Sequence, residues 1–179
     1  MQVLNGSLFE KAWRMIAPAE LYEQSCLIEM GSEGRGEQIL KTDQDNALIL
    51  SEHANLEQAQ AVAEKFSLTL EKLGYPPCKG NIMVSNPMWR KTLPEFKKMI
   101  HSWCTNPVPD ALMNLAIFID AKAAAGDANL LKQVKEHLSK IMSNDVGMLM
   151  GFARAIELFD HHSSGFFAQL LHRDNASKM

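Results

Sequence analysis

Two short apolar runs frame one glycine-rich polar stretch, and this arrangement constrains the fold more than any other feature of the chain. The first run, Gln24 to Met30 (QSCLIEM), ends abruptly at Gly31. It reads as a strand, although periodicity alone leaves a helix open. The second run, Asp43 to Leu50 (DQDNALIL), alternates polar and apolar at its start and then turns wholly apolar. That is the pattern of a strand entering the core from an exposed edge. Between them Gly31 to Gln38, GSEGRGEQ, forms a polar turn or a short helical turn.

Helical signals dominate elsewhere. Phe9 to Ile16 suits a short helix that stops before Pro18. Asn55 can cap a helix, with Gln58 in capping-box position, and Leu56, Ala59, Val62, Ala63, Phe66, Leu70 and Leu73 follow at helical spacing. Gly74 then fits the C′ position and Pro76 blocks continuation. A short strand is expected over Asn81 to Ser85, closed by Asn86-Pro87. Thr92 and Glu95 make a second capping box, opening a helix to about Cys104. Pro107 and Pro109 mark a linker. Three more helices are expected, over about Asp110 to Ala125, Ala128 to Ser143 and Val146 to Phe159. The fold class is thus α+β, with a mixed half over residues 1–105 and an all-helical half over 106–179.

Composition narrows the function classes. Of 179 residues, 46% are hydrophobic and 22% charged, enough for a real core and too apolar for wholesale disorder. A net charge of −3 gives no global field for nucleic acid or an anionic membrane. No apolar run reaches the ~18 residues that span a bilayer, and the first residues, MQVLNGSLFEKAWR, lack the pattern of a signal peptide. Cys26, Cys78 and Cys104 are odd in number and widely spaced, which argues for free thiols rather than a disulfide framework or zinc site. These signals point to a cytoplasmic protein.

The chemistry concentrates in Met30 to Leu50, MGSEGRGEQILKTDQDNALIL. In a strand, residues i and i+2 face one way, so Asp43 and Asp45 project together and Gln44 turns away. Two such carboxylates suit Mg²⁺, a hard cation that takes carboxylates, waters and substrate phosphates. They can also bridge two metal ions ~4 Å apart, an arrangement that clamps the attacking and leaving oxygens in phosphoryl transfer. Gly31 lets the backbone approach a ligand, and the following amides with the Ser32 hydroxyl can hold phosphate oxygens. Arg35 can offer its planar fork to the same phosphates.

Each of these pieces recurs in unrelated chains; their ordered combination resembles the signature of the DNA polymerase beta-type nucleotidyltransferase superfamily. More closely, GSEGRGEQILKTDQDNALIL resembles a nucleotidyltransferase domain found in bacterial proteins beside CBS and cyclic-nucleotide-binding domains. That domain is related to PII uridylyltransferases. The resemblance continues through GYPPCKGNIMVSNPMWRKTLPEF and NLAIFIDAKAAAGDANLL, and covers about residues 20–170. It implies a small mixed sheet with flanking helices, followed by a helical substrate-side region that stops partway relative to the family. It further implies Gly31 and Ser32 as phosphate-binding, Asp43 and Asp45 as the catalytic metal-binding pair, and Arg35 as a triphosphate contact. The reaction implied is attack by a hydroxyl of a protein or small molecule on the α-phosphate of a nucleoside triphosphate, with Mg²⁺ as cofactor. A PII-like acceptor follows by analogy only.

One departure matters. Many superfamily members carry a third carboxylate on a later strand, and the matching segment here, Asn81 to Ser85, has none. The general base is therefore unassigned, and a catalytically degenerate, nucleotide-binding regulatory module is the alternative reading. A third reading takes the helical half as an interaction module. Other candidates read as structural. Asp120 lies in a helix-like segment, and His161-His162 beside Asp160 lack a second pair at helical spacing. Trp89 suits packing on the sheet, with Asn86 in a tight turn or offering a hydrogen bond to a ligand. Lys91, Lys97 and Lys98 read as a solvated helix face.

Overall fold

A computed structural model of the protein describes residues 2–30 and 44–144. The two runs that frame the glycine-rich stretch become adjacent strands, β1 (Ser25–Glu29) and β2 (Asn46–Leu50), paired antiparallel with Glu29 opposite Asn46 and Ser25 opposite Leu50. Every residue of both strands is buried. β-rich sequence of this kind, apolar on both faces, requires a covering layer on each side.

Helices supply those layers. Helix α1 (Gln2–Ile16) and the short α2 (Ala19–Glu23) precede the sheet, and α3 (Leu56–Lys72) follows β2. Phe9, Trp13, Leu21, Val62, Phe66, Leu70 and Tyr75 pack with Leu27, Leu48 and Leu50 on one face. Phe9 meets Phe66 edge-on at 6.0 Å between ring centroids. The other face carries Cys26, Ile28, Met30, Ala47 and Ile49. It is covered by α4 (Leu93–Thr105), α5 (Pro109–Ile119) and α6 (Ala128–Asn144), with Trp89, Phe96, Ile100, Phe118 and Val134 in the same cluster. The alternation of β1 and β2 side chains between these two clusters is the period of an extended strand.

Local signals read from the sequence hold at several ends. The Asn55 side chain caps α3 by accepting from the Gln58 amide at 3.0 Å. At the other end Gly74 adopts φ 90°, Tyr75 N donates to Leu70 O at 3.0 Å and Gly74 N to Glu71 O at 2.9 Å, the paired bonds of a Schellman stop. Thr92 and Glu95 form the expected capping box on α4.

Two expectations fail. Asn81–Ser85 is not a strand. The third strand, β3 (Arg90–Thr92), comes later and runs parallel to β2, with Ile49 opposite Lys91. Residues 81–86 instead form a turn held by side chains. Asn86 Nδ2 donates to Asn81 O at 2.8 Å, and Arg90 Nη1 to Val84 O at 2.6 Å. The second failure is the helix over Asp110 to Ala125. Helix α5 ends at Ile119, and Lys122–Gly126 forms strand β4, antiparallel to β1. The sheet order is β3-β2-β1-β4. Alanine favours helix in isolation, but the open edge of β1 offers a row of unpaired backbone groups that β4 satisfies. The sheet therefore draws strands from both sides of the boundary expected near residues 104–109. The helix expected over Val146 to Phe159 and the His161-His162 pair lie outside the described residues.

Candidate functional site

The candidate site is built from the two strand ends that flank the glycine-rich stretch. Met30 N donates to Asp45 O at 3.0 Å, so the last residue before Gly31 and the first aspartate before Asn46 share one rung. Gly31, Ser32, Arg35 and Asp43 lie outside the described residues. Among the residues expected to bind metal or phosphate, the structure therefore describes Asp45 alone.

Asp45 is half-buried and meets the Cys78 thiol through a hydrogen bond. Burial, and then the Asp45 carboxylate, push that thiol up to about 12; the Ile82 and Gly80 amides oppose the shift without cancelling it. Cys78 is thus a protonated donor to Asp45. Cys26 and Cys104 are buried, and all three cysteines are free.

Gln44 and Asn46 turn the other way from Asp45, as strand alternation requires. Both are fully buried. Gln44 Nε2 donates to Ser67 O at 3.1 Å and Tyr75 O at 3.0 Å, and its backbone N to Pro76 O at 3.0 Å. Asn46 Oδ1 accepts from Val84 N at 2.9 Å, and Asn46 N donates to Ile82 O at 3.1 Å. The sequence reading placed Gln44 away from the carboxylates but gave neither amide a task. The signal was present in their type: two amides in an otherwise apolar strand entry must find partners once buried.

Glu29 is the residue that the sequence reading missed. It stands at the end of β1, opposite Asn46 on one side and Lys122 on the other. It is 9% exposed, and its Oε1 has no hydrogen-bond partner. Burial raises its carboxyl from 4.5 to about 7, against the opposing pull of Lys122. A value near neutrality is one that general bases use. Strand alternation, however, aligns Glu29 with Leu27 on the α1–α3 face, whereas Cys78, the partner of Asp45, packs on the other core. Glu29 does not fill the place of the missing third carboxylate beside Asp45.

The remaining candidates settle as structural. Trp89 is 1% exposed and packs against Trp103, the two rings tilted at 55° with centroids 5.6 Å apart. Asn86 donates from Nδ2 to Asn81 O and accepts at Oδ1 from Met88 N, so both ends of its amide hold its own turn together. Asp120 sits at the C-terminal end of α5. No helix among the described residues is long and apolar enough to cross a membrane. Nor do the described residues include a cluster of three or more metal-ligating side chains. Of the expected metal ligands the described residues include Asp45, whose carboxylate is a hard oxygen donor of the kind Mg²⁺ takes.

Residues 1–110 fit the family model described as "Putative nucleotidyltransferase DUF294". No curated protein and no solved structure matches the chain significantly.

Proposed function

From the premise that this chain belongs to the DUF294 nucleotidyltransferase family, we propose that it transfers a nucleoside monophosphate from a nucleoside triphosphate to a hydroxyl group of a protein or small molecule. The observation that carries this reading is the pairing of Met30 with Asp45. It joins the residues that flank the Gly31-Ser32 and Asp43/Asp45 halves of the motif at one end of one sheet. Gly31, Ser32 and Arg35 would hold the triphosphate. Asp43 and Asp45 would hold Mg²⁺, which when bound neutralises charge on the phosphates and orients the reacting oxygens. The protein's own share is positioning and electrostatics, since phosphoryl transfer asks little covalent chemistry of it. A PII-like protein is the acceptor suggested by resemblance, and a shared fold does not fix it.

The test is transfer of label from α-labelled ATP, GTP, CTP and UTP, each with Mg²⁺, into a cell extract. Wild-type protein should transfer label or release pyrophosphate, and Asp43→Asn/Asp45→Asn should not. Equal transfer by the double variant would sink the site assignment.

A second reading, nucleotide binding without turnover, is favoured by one observation. The turn at 81–86 carries no carboxyl group, and Glu29 lies on the opposite face from Asp45. Metal-dependent nucleotide binding with no label transfer to any fraction would select it.

A further inference from the structure

Glu29 and Asn46 stand at one end of the β1–β2 ladder as direct cross-strand partners, so their side chains leave the sheet on the same face. It is the α1–α3 face, which Leu27 and Leu48 share with them by strand alternation. Glu29 is 9% exposed and Asn46 is fully buried. Each leaves one polar atom stranded in this apolar layer. Glu29 Oε1, an acceptor, and Asn46 Nδ2, a donor, are both buried without a hydrogen-bond partner.

The orientation of the Asn46 amide is forced. Its Oδ1 accepts from Val84 N at 2.9 Å, and a flipped amide would set donor against donor. A donor and an acceptor on opposed residues could bond each other directly, but these two do not. Opposed side chains leave a strand pair with Cβ atoms about 4.5–5.5 Å apart. Two hydrogen bonds of about 2.8 Å that meet at a tetrahedral angle span about 4.6 Å. A bridge of one heavy atom thus suits the spacing of the strands.

The chemistry of the bridge follows from the mixed polarity of the two atoms. A cation would meet the Nδ2 hydrogens, an anion would meet the carboxyl oxygen, and an apolar group would satisfy neither. Water donates to one and accepts from the other. The lining is polar beyond this pair as well. Gln44, on the same face of β2, and Ser67, whose backbone oxygen accepts from Gln44 Nε2, leave Oε1 and Oγ buried and unpartnered.

We propose that Glu29 and Asn46 hold an internal water molecule between the ends of β1 and β2, one that donates to Glu29 Oε1 and accepts from Asn46 Nδ2. It satisfies both stranded atoms at once, and it stands independently of the nucleotidyltransferase reading.

The experiment counts long-lived water molecules on the full chain by oxygen-17 relaxation dispersion. Wild type is compared with Glu29→Gln, which keeps a carbonyl oxygen at the position, and with Glu29→Met, which offers none. The expected result is an equal count in wild type and Glu29→Gln, and at least one water fewer in Glu29→Met. A count unchanged in Glu29→Met, or lowered as much by Glu29→Gln, overturns the proposal. Should Glu29→Met not fold, the wild type alone decides. Nitrogen-15-resolved spectra at pH 8 should show direct cross-relaxation between water and the Asn46 side-chain amide protons. At that pH the Glu29 carboxyl, held up at about 7, is mostly ionised, so its own exchanging proton does not mimic the signal. Absence of the signal overturns the proposal.

Discussion

Glu29 is a carboxyl group placed where ionisation is expensive. Its value of about 7, against an ordinary 4.5, means that the folded chain holds this proton more tightly than the unfolded chain does. The resulting stability is fully present below the unfolded value and is lost as pH rises through the folded one. Ionising Glu29 in place costs on the order of 3 kcal/mol well above neutrality. Glu29→Gln should therefore unfold at higher denaturant concentration than wild type at pH 8 and near the same concentration at pH 5. A wild-type midpoint at pH 8 would count against the buried carboxyl with its orphaned Oε1. Gly126 shows the opposite kind of constraint. It holds φ +82°, and a Cβ there would lie 2.0 Å from Ser25 O. Gly126→Ala should lose about 3 kcal/mol or more, from backbone strain and the clash together, in equilibrium unfolding. At this scale the sequence was partly legible. Gln44 read as turned away, but its acceptors, Ser67 O on α3 and Tyr75 O just after it, are distant in sequence.

Elements divide by where their determinants lie. Helices α3 and α4 were legible because their caps are local: Asn55 with Gln58, Gly74 with its two backbone bonds, Thr92 with Glu95. In the last pair, the backbone and hydroxyl of Thr92 both donate to Glu95 Oε2, at 2.9 and 2.8 Å, and hold its carboxyl below the ordinary range. Thr92→Ala should cost about 1 kcal/mol, read as a lower melting temperature. Strand β4 was not legible. Its KAAAG has no side-chain contrast to reveal a period of two, and its register breaks between Leu27 and Ile28 of β1, so even an ideal alternation would be interrupted. The residues around β3 misled for a related reason. Ile82, Met83 and Val84 are buried and apolar like a strand, but a polar turn held by Asn86 and Arg90 carries them.

For the molecule as a whole, the sheet is the unit of cooperation. β1 is central, and one of its edges is covered only by β4, which arrives about a hundred residues later in the chain. The α4–α6 core likewise mixes Cys26 and Ile28 with Leu131 and Leu138. A fragment of residues 1–110, the span of the family match, should thus lack a cooperative thermal transition, because it exposes the β1 edge and half of a core. Sharp unfolding of that fragment near the full-length temperature would show that β4 and α6 are dispensable. The candidate site follows the same logic. Asp45 was legible as a residue type in a motif, whereas the tethering of its neighbours Gln44 and Asn46 to the end of α3 and to residues 82–84 depends on how distant segments pack.

The sequence by itself determined the α+β class, the two framing strands, the capped helices and the family resemblance of the motif, because each is encoded within a few residues of itself. Only the tertiary structure decided that the alanine-rich segment is a strand and that residues 81–86 are a turn. It alone gave Gln44 its acceptors and Glu29 its raised carboxyl. These outcomes rest on which backbone groups and polar atoms lose contact with water and must then find partners. That depends on segments far apart in the chain being brought together.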